Sequence, residues 1–290
     1  MIQSVAFIGL GAMGYRMAAH LPKQFDTVYV WNRNFNKAEQ HAAEFGTQAV
    51  TLEQAVQADL IFSCLPTSLD VENLIADVHI KVGSIWVDCT SGVPESAKKL
   101  VVALKQQNVD YLDAPVSGQT IGADNATLTF MIGGDVSAFE RALPAIQTVG
   151  KLIKHVGESG AGFAVKAVNN MLMAVNLCAV AEGFTTLKAH GVNLHEALDC
   201  INASSGKSNV TETVLPQRVL NRSFPLTFAL PLLAKDTGIA VDLVRQAKLS
   251  APVISLTQNL IQAASDLAEE NSDFSTAVNM YEKWSKITIE

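Results

Sequence analysis

Three glycines near the start of the chain have the spacing of a phosphate-binding turn. The apolar run of residues 5–8 is followed at once by Gly9-Leu10-Gly11-Ala12-Met13-Gly14, the pattern G-x-G-x-x-G. In this pattern the first glycine permits a tight turn, the second lets the backbone approach a pyrophosphate, and the third lets helix and strand pack closely. The N–H groups of the helix that follows would face the negative charge. We therefore expect residues 9–14 to bind a dinucleotide.

A lysine and an asparagine further along the chain are the second candidates for chemistry. Lys166 and Asn170 stand four residues apart near the start of a long helix-forming segment, so they share one helix face. A lysine whose pKa is lowered by burial can give or take a proton, and an asparagine can orient a reacting oxygen without adding charge. The alternative is a surface lysine with its amine in water. For the neighbouring Asn169, a packing or capping amide is the simpler interpretation.

A third group of candidate residues follows the strand-like run 27–31. In dinucleotide-binding folds an acidic residue at this place binds the ribose hydroxyls of NAD, whereas an arginine accommodates the 2′-phosphate of NADP. Here Asn32, Arg33 and Asn34 stand at the tip, and no carboxylate does. The planar fork of Arg33 suits a phosphate, so we expect NADP, with NADPH preferred over NADH. A solvated arginine in a turn is the alternative.

Two later strand ends are expected beside the rest of the same cofactor, because ligands lie at the carboxyl ends of parallel strands. Leu65 and Pro66 follow the run 60–64, and we expect them to pack against the nicotinamide or its ribose. Thr90 follows the run 85–88, and we expect its hydroxyl to donate to the nicotinamide ribose or carboxamide. The alternative for Pro66 is a purely structural loop residue.

The elements that must position these residues alternate in the first half between short apolar runs and helix-forming segments. This alternation predicts an α/β fold with a Rossmann-type doubly wound sheet of parallel strands and crossover helices. Continuous apolar runs are typical of strands that are covered on both faces. The predicted strands are residues 5–8, 27–31, 60–64, 85–88, 111–114, 128–132 and 152–155, and the early helices include 36–45 and 94–107.

The sequence changes character at a glycine cluster, residues 157–162. Beyond this cluster no convincing strand is predicted. The predicted helices are residues 163–189, 194–203, 210–221, 229–247 and 253–269. We therefore predict two domains, an NADP-binding Rossmann domain over residues 1–162 and an all-α domain for substrate binding and oligomerisation over residues 163–290.

Composition and charge exclude several classes of function. Hydrophobic residues make up 49% of the chain and charged residues 17%, which excludes a disordered protein. The net charge is −7 and neither half is basic, so nucleic acid is not an expected partner. The six histidines and four cysteines are scattered without the spacing of metal ligands, so no metal site is predicted.

Two further features bear on where the protein works. The most apolar stretch, residues 171–180, is interrupted by Asn176 and closely flanked by polar residues. We expect it to be a helix buried inside protein rather than a membrane span. The cysteines form no C-x-x-C pair and no signal peptide is recognised, which favours a reducing cytoplasm.

Three further segments make the chain similar to a known family. They are residues 113–134, which begin DAPVSGQ, residues 160–170, which read GAGFAVKAVNN, and residues 228–236, which read FALPLLAKD. With the opening glycines, they resemble the motifs of the β-hydroxyacid dehydrogenase family, in the family's order and over nearly the whole chain. This family includes 3-hydroxyisobutyrate dehydrogenase, tartronate semialdehyde reductase and the glyoxylate/succinic semialdehyde reductases, and is related to 6-phosphogluconate dehydrogenase.

The resemblance implies roles for residues in the later motifs. Lys166 matches the family's catalytic lysine, and Asn170 matches the polar partner of that lysine. Lys235 matches a residue that reaches back toward the cofactor. Phe228 matches an aromatic position near the nicotinamide end of the cleft.

The segment around Ser117 resembles the family's substrate loop, with two departures. The resemblance implies that Ser117, Gly118 and the adjacent backbone N–H groups hold a substrate carboxylate. Gln119 and Ala126 stand where the family commonly has glycine. Gln119 strains the backbone if its position needs a positive φ. Alternatively, its amide changes the pocket, either by binding a hydroxyl or carbonyl group or by crowding the carboxylate site.

These observations together predict an NADP-dependent oxidoreductase that interconverts a small β-hydroxyacid or 2-hydroxyacid with its semialdehyde or keto acid. Hydride would pass between nicotinamide and the substrate carbon, with Lys166 as general acid or base. Two alternatives stay open: reduction of a C=N bond, as in imine reductases of the same architecture, and an NADP-binding module without catalysis. The apolar helices of the second domain predict a homodimer or a homotetramer.

Overall fold

The computed structural model describes residues 2–290, which fall into two compact units that divide between Lys166 and Ala167. The division falls slightly after the predicted boundary at residue 162 and lies within a helix rather than in the glycine cluster. The predicted architecture, a Rossmann-type sheet followed by a helical domain, is confirmed. Each unit is described in turn.

Within the described part of the first unit, nine strands form one sheet. The strands are β1 (Ser4–Ile8), β2 (Thr27–Trp31), β3 (Gln48–Ala49), β4 (Leu60–Ser63), β5 (Ile85–Asp88), β6 (Asp110–Asp113), β7 (Val116–Ser117), β8 (Leu128–Gly134) and β9 (Gly150–Gly157). Their order is β3-β2-β1-β4-β5-β6-β8-β7, with β9 paired to β8. The order of the first six is that of a doubly wound dinucleotide-binding sheet, whose ligand lies where the strand order reverses, beside β1 and β4.

The register of the parallel strands brings their carboxyl ends to one edge. Ile8 pairs with Trp31 on one side and with Ser63 on the other. Ser63 pairs in turn with Asp88, and Asp88 pairs with Asp113. The residues that follow these strands are therefore neighbours at the edge where a doubly wound sheet binds its ligand.

Helices of the first unit cover both faces of this sheet. They are α1 (Gly14–Ala18), α2 (Phe35–Phe45), α3 (Leu52–Ala55), α4 (Ser68–Ala76), α5 (Pro94–Lys105), α6 (Gln119–Asp124) and α7 (Val136–Ile146). Phe7 and Phe62 belong to the hydrophobic cluster on one face, whereas Ile8, Trp86 and Tyr111 belong to the cluster on the other. All of these side chains are buried, as expected for strands with two covered faces.

Three details of the first unit differ from the prediction. The strand β8 runs antiparallel to β6 and β7, although the alternating pattern predicted parallel strands. The strands β3 and β7 were not predicted, because two residues are too few to show a periodic pattern. The chain from β6 to β8 makes its reversal through β7 and the short helix α6, so no crossover helix of the usual length is needed.

The second unit is built from helices throughout its described residues. Its α-helices are α8 (Ala161–Ala189), which begins in the first unit, α9 (Leu194–Asn202), α10 (Leu230–Gln246), α11 (Pro252–Leu267) and α12 (Val278–Ser285). The segment Val210–Val219, within the helical segment predicted over residues 210–221, is a π-helix. Pro216 lies inside this segment and has no N–H to donate, and the N–H of Leu220 bonds to the carbonyl of Leu215.

The helix α8 meets a simple test for a membrane span by length and composition. Its mean hydropathy is 1.5 over an 18-residue window, of which 39% is buried inside the protein. Residues 171–180, expected from the sequence to form a buried helix, lie within this helix of 29 residues. Because core helices of soluble proteins pass the same test, this one helix is weak evidence for a span.

Candidate cofactor and substrate site

The glycine turn after β1 is tightly packed on its protein side and open at its centre. Gly9 has φ +95°, and a Cβ added there would lie 2.5 Å from the carbonyl oxygen of Cys64. A Cβ on Gly14 would overlap the carbonyl oxygen of Gly9. At Gly11, by contrast, no atom of the described residues lies within 4 Å of an added Cβ. The turn therefore offers backbone to a ligand at Gly11, as a pyrophosphate requires.

Asn32 holds this turn from the end of β2. Its Oδ1 accepts a hydrogen bond from the Leu10 N–H at 3.0 Å, and its Nδ2 donates to the Asn34 carbonyl at 3.0 Å. The side chain predicted to bind the ribose thus also fixes the glycine turn. Arg33 and Asn34 are exposed beside the start of α2. Lys37 is also exposed in the first turn of that helix, and its spacing of four residues from Arg33 is a pattern that the sequence analysis missed.

Thr90 joins the ends of β4 and β5. Its Oγ1 accepts a hydrogen bond from the Leu65 N–H at 3.1 Å, and its own N–H donates to Asp88 Oδ1 at 3.0 Å. The hydroxyl is buried. Thr90 therefore holds the Leu65–Pro66 segment in place, and its predicted hydrogen bond to the cofactor stays a prediction. Leu65 itself lies against the turn, since a Cβ on Gly9 would come within 2.7 Å of its Cδ2.

A buried carboxyl group, Asp88, organises this edge from within the sheet. Its Oδ1 accepts from the Ser63 hydroxyl at 2.9 Å and its Oδ2 from the Tyr111 hydroxyl at 2.9 Å. Burial raises the pKa of Asp88, although hydrogen bonds from Thr90, Tyr111 and Ser63 oppose that shift. Sequence reasoning missed this role, and the available signal was an aspartate that ends an otherwise apolar strand.

The substrate loop contains two left-handed residues that are not glycine. Ser117 ends β7, where it pairs with Thr129 of β8, and Gly118 follows with φ +135°. Gln119 has φ +57° and Ala126 has φ +53°. Both positions where the family commonly has glycine therefore need a positive φ, and the strain considered for Gln119 is present. An L-residue in this conformation costs about 1–2 kcal/mol.

The helix after the substrate loop, α6, is tied to the glycine turn through α1. Arg16 donates from Nη1 to the Ala12 carbonyl at 2.7 Å and forms an ion pair with Asp124, with Nε 2.9 Å from Oδ1. His20 Nε2 lies 2.8 Å from the carbonyl oxygen of Ala123. Sequence reasoning missed these contacts, because the partners are about a hundred residues apart and only the fold brings them together.

Lys166 lies on α8 in the part of that helix that belongs to the first unit, and it is half-buried. Lys166 has at least one further interaction within the protein. The helix α8 contains both Lys166 and Asn170, which confirms that the two residues stand one turn apart on a single helix.

In the second unit, Asn170 and Lys235 are brought together by Asp236. The buried Asn170 donates from Nδ2 to Asp236 Oδ2 at 2.6 Å, and Asn169 donates to Asn170 Oδ1 at 3.1 Å. Lys235 Nζ lies 3.2 Å from the other oxygen of Asp236. The sequence analysis identified Asn170 and Lys235 separately and missed the buried carboxylate that connects them.

Phe228 is fixed by a second buried carboxylate of the same unit. Its N–H donates to Asp273 Oδ2 at 3.2 Å, and its ring centroid lies 6.1 Å from that of Phe274. Asp273 also pairs with the buried Arg218 at 3.0 Å. Burial opposes ionisation of Asp273, but hydrogen bonds from Ser275 and from nearby backbone N–H groups outweigh it, so the pKa of Asp273 is lowered.

A search of residues 2–290 finds no group of three or more His, Cys, Asp or Glu side chains placed to hold a metal ion. The residues that follow the strand ends include glycines, the amides of Asn32 and Asn34, the hydroxyl of Thr90 and the guanidinium of Arg33. This set suits a phosphate-bearing ligand, which needs N–H donors and positive charge.

Comparisons with known proteins identify the family. A family model described as the NAD-binding domain of 6-phosphogluconate dehydrogenase matches residues 4–157. A second, described as the NAD-binding domain of NADP-dependent 3-hydroxyisobutyrate dehydrogenase, matches residues 160–281. The chain belongs to the β-hydroxyacid dehydrogenase family, and the resemblance inferred from its motifs is confirmed.

Individual relatives support this assignment over the full length. The chain is 32% identical to 2-(hydroxymethyl)glutarate dehydrogenase of Eubacterium barkeri, with 98% of this chain and 97% of that protein covered. It is 33% identical to NAD-dependent L-serine dehydrogenase of Pseudomonas aeruginosa, with 97% and 98% covered. A solved structure of 3-hydroxyisobutyrate dehydrogenase from Mycobacterium tuberculosis with L-serine superposes with a TM-score of 0.88 at 31% identity, covering 97% and 99%. The protein is an NAD(P)-dependent dehydrogenase that acts on hydroxyacids.

The strain at Ala126 can be measured directly. Replacing Ala126 by glycine should raise the free energy of unfolding by about 1 kcal/mol, because glycine adopts the observed φ without a steric penalty. The matched control is Ala103→Gly at an exposed position inside α5, which should lower it by about 1 kcal/mol. Urea denaturation of both variants tests the signs. A loss of stability in Ala126→Gly would contradict the strained backbone.

Proposed function

We propose that the enzyme uses NADP to interconvert a small carboxylate-bearing β-hydroxyacid or 2-hydroxyacid with its semialdehyde or keto acid. The observation that carries the proposal is the glycine turn, which is closed at Gly9 and Gly14 and open at Gly11. Three relatives are named as dehydrogenases of 2-(hydroxymethyl)glutarate, L-serine and 3-hydroxyisobutyrate, which supports a small hydroxyacid as the substrate class.

In this proposal the bound nicotinamide supplies or accepts the hydride. The chain's own residues handle the substrate oxygen and the carboxylate. In the reductive direction the carbonyl carbon gains the hydride and the oxygen gains a proton from Lys166; in the oxidative direction Lys166 removes the hydroxyl proton. Asn170 orients the reacting oxygen from the next turn of α8. Its amide is held for this task by Asp236.

We assign the substrate carboxylate to Ser117 and to the backbone N–H groups of Gly118 and Gln119. The positive φ values of Gly118 and Gln119 turn the backbone sharply at the end of β7. Consecutive N–H groups in such a turn make a concavity that binds anions. Retention of glutamine in a conformation that favours glycine supports a functional role for its amide, which we assign to a polar group of the substrate.

We assign the preference for NADPH to Arg33, with Asn32 and Asn34 beside it and Lys37 as a second cation. Arg33 and Lys37 are exposed next to the end of β2, and no acidic residue stands among residues 32–38 to bind a free ribose. We assign Leu65, Pro66 and Thr90 to the nicotinamide half of the cofactor. We also assign Phe228 and Lys235 to the cofactor, as the resemblance of their motif implies.

We also propose that the protein is a homodimer or a homotetramer in the cytoplasm. Several large apolar side chains of the second unit are exposed, among them Leu172, Leu249, Val253, Leu256 and Leu267, each at about three-fifths exposure. Burial of these side chains against a second copy of the chain would remove apolar surface from water. Cys64, Cys89, Cys178 and Cys200 are all free thiols, which supports a reducing compartment.

The proposed reaction is tested by NADPH oxidation with glyoxylate, succinic semialdehyde, tartronate semialdehyde and a cyclic imine. Lys166→Ala should lower kcat on the accepted aldehyde by about 10²- to 10⁴-fold, since the proton donor is lost. The Kd for NADPH, followed by fluorescence, should stay unchanged. Lys188→Ala, an exposed position on the same helix, is the control and should retain full activity. Turnover of the imine alone, or an active Lys166→Ala, would refute the assignment.

Cofactor preference is tested at Arg33. Arg33→Ala should raise the KM for NADPH by about 10- to 100-fold, because a charge-assisted hydrogen bond to the 2′-phosphate is worth about 1.5–3 kcal/mol. The KM for NADH should change little. Asn32→Asp should shift preference toward NADH while keeping an acceptor for the Leu10 N–H. Arg245→Ala, an exposed arginine of α10, is the control. Equal effects on both cofactors would exclude Arg33 as a phosphate ligand.

A further inference from the structure

One buried carboxylate, Asp113, connects the end of β6 with the beginning of α8. Its Oδ1 accepts a hydrogen bond from the Gly160 N–H at 2.8 Å, and its Oδ2 accepts one from the Phe163 N–H at 3.0 Å. Because α8 begins at Ala161, these donors are N–H groups at the helix N-terminus, which have no partner inside the helix. A carboxylate satisfies them and also complements the positive end of the helix dipole.

The glycines around Asp113 leave no room for side chains of their own. A Cβ on Gly133 would lie 2.6 Å from Asp113 Oδ1, and a Cβ on Gly162 would lie 2.9 Å from Oδ2. The ring of Phe163 packs just as closely over Gly92, in the loop that follows β5. Three glycines therefore make space for this carboxylate and for the start of the helix that it caps.

Asp113 stands close along the chain to the two groups assigned to substrate. Ser117 follows it by four residues, and its capped partner Phe163 precedes Lys166 by three residues, less than one helical turn. We propose that Asp113 is a positioning residue for hydride transfer. It fixes the first turn of α8, and with it Lys166, relative to Ser117 at the end of β7. This inference rests on the proposed function of Lys166.

Ionisation of the buried Asp113 works against the stability of the fold. Burial raises the pKa of Asp113 to about 6, against the hydrogen bonds from Gly160 and Phe163, and Asp88 on β5 adds to the rise. Other titratable residues on the surrounding elements include Asp110 and Tyr111 on β6, Lys151, Lys154 and His155 on β9, Glu158 before α8 and Lys166 on α8. A carboxyl group whose pKa is raised in the folded state contributes to stability when the pH is below its pKa in the unfolded chain. This contribution is lost as the pH rises through the folded-state pKa of about 6. Above pH 6 the ionised group therefore costs stability while it caps the helix.

The test compares Asp113→Asn with the wild type at pH 8. Asparagine is neutral and can accept only one of the two hydrogen bonds. We expect kcat to fall by about 10- to 100-fold, the effect of a displaced catalytic group, with the Kd for NADPH unchanged and the Tm no lower than in the wild type. Hydrogen exchange of the amides of residues 160–166 should be faster in the variant. In the wild type, kcat should decline on the acid side with an inflection at about pH 6, and Asp113→Asn should lack that inflection.

The matched control is Asp110→Asn. Asp110 lies on the same strand as Asp113 and forms an exposed ion pair with Arg141 of α7, and its replacement should leave kcat unchanged. A normal kcat in Asp113→Asn, or no acid inflection in the wild type, would overturn the positioning role. The second measurement needs no variant and so holds even if Asp113→Asn folds poorly. The proposed role of Lys166 is tested by a different variant, since an active Lys166→Ala would refute that role whatever the result for Asp113→Asn.

Discussion

The candidate site at the carboxyl ends of the parallel strands depends on a close contact between two stretches of backbone, which leaves no space for a side chain between them. The turn after β1 crosses the end of β4 at Gly9 and closes on itself at Gly14, and an added Cβ at either position would meet a carbonyl oxygen. This contact fixes the path of residues 9–14 over the ends of the central strands. Gly11, which meets no neighbour, is then the point at which the backbone is available to a ligand. Asn32 and Thr90 secure the same edge from the neighbouring strands through hydrogen bonds to Leu10 and Leu65.

Three buried carboxyl groups share one structural task. Asp88 accepts the N–H of Thr90, Asp113 accepts those of Gly160 and Phe163, and Asp273 accepts those of Thr227 and Phe228. In each case the carboxyl group lies in a well-packed interior and the donors belong to a segment that carries residues assigned to cofactor or substrate. Burying a carboxylate is costly unless its oxygens are fully hydrogen-bonded. At Asp88 and Asp113 burial raises the pKa, so the ionised groups cost stability, whereas at Asp273 the hydrogen bonds outweigh burial. All three groups fix the geometry of loops before a ligand binds.

Much of the fold could be read from the sequence because the apolar runs are short and bounded. The run 27–31 is a strand from its first residue to its last, and the long helix, α8, begins only two residues before its predicted start at residue 163. The strands β3 and β7 are too short to carry a pattern, and the antiparallel direction of β8 depends on the path of the chain rather than on local residue types. The π-helix at Val210–Val219 has the composition of an ordinary helix apart from Pro216.

The candidate site was predictable where one motif carries a function by itself and not where function depends on contacts across the fold. The glycine turn and the tip residue Arg33 are candidates that residue type and position alone suggest. The partners Arg16 and Asp124, or Asp113 and Phe163, are far apart in the chain, and neither residue type alone indicates a role. The departures at Gln119 and Ala126 lie between these cases. The sequence showed that glycine was absent, and the positive φ at both positions shows what its absence costs.

The central claim is that the carboxyl edge of the sheet binds a dinucleotide through the exposed backbone of Gly11. Calorimetric titration of Gly11→Val with NADPH tests this claim most directly. The position is outside the left-handed region and meets no protein atom among the described residues. The variant should therefore fold normally, with a Tm within about 2 °C of the wild type. Its branched side chain should fill the space of the pyrophosphate and weaken NADPH binding about 100-fold or more, equivalent to about 2.8 kcal/mol. Binding of NADPH by Gly11→Val as tight as that of the wild type would contradict the account.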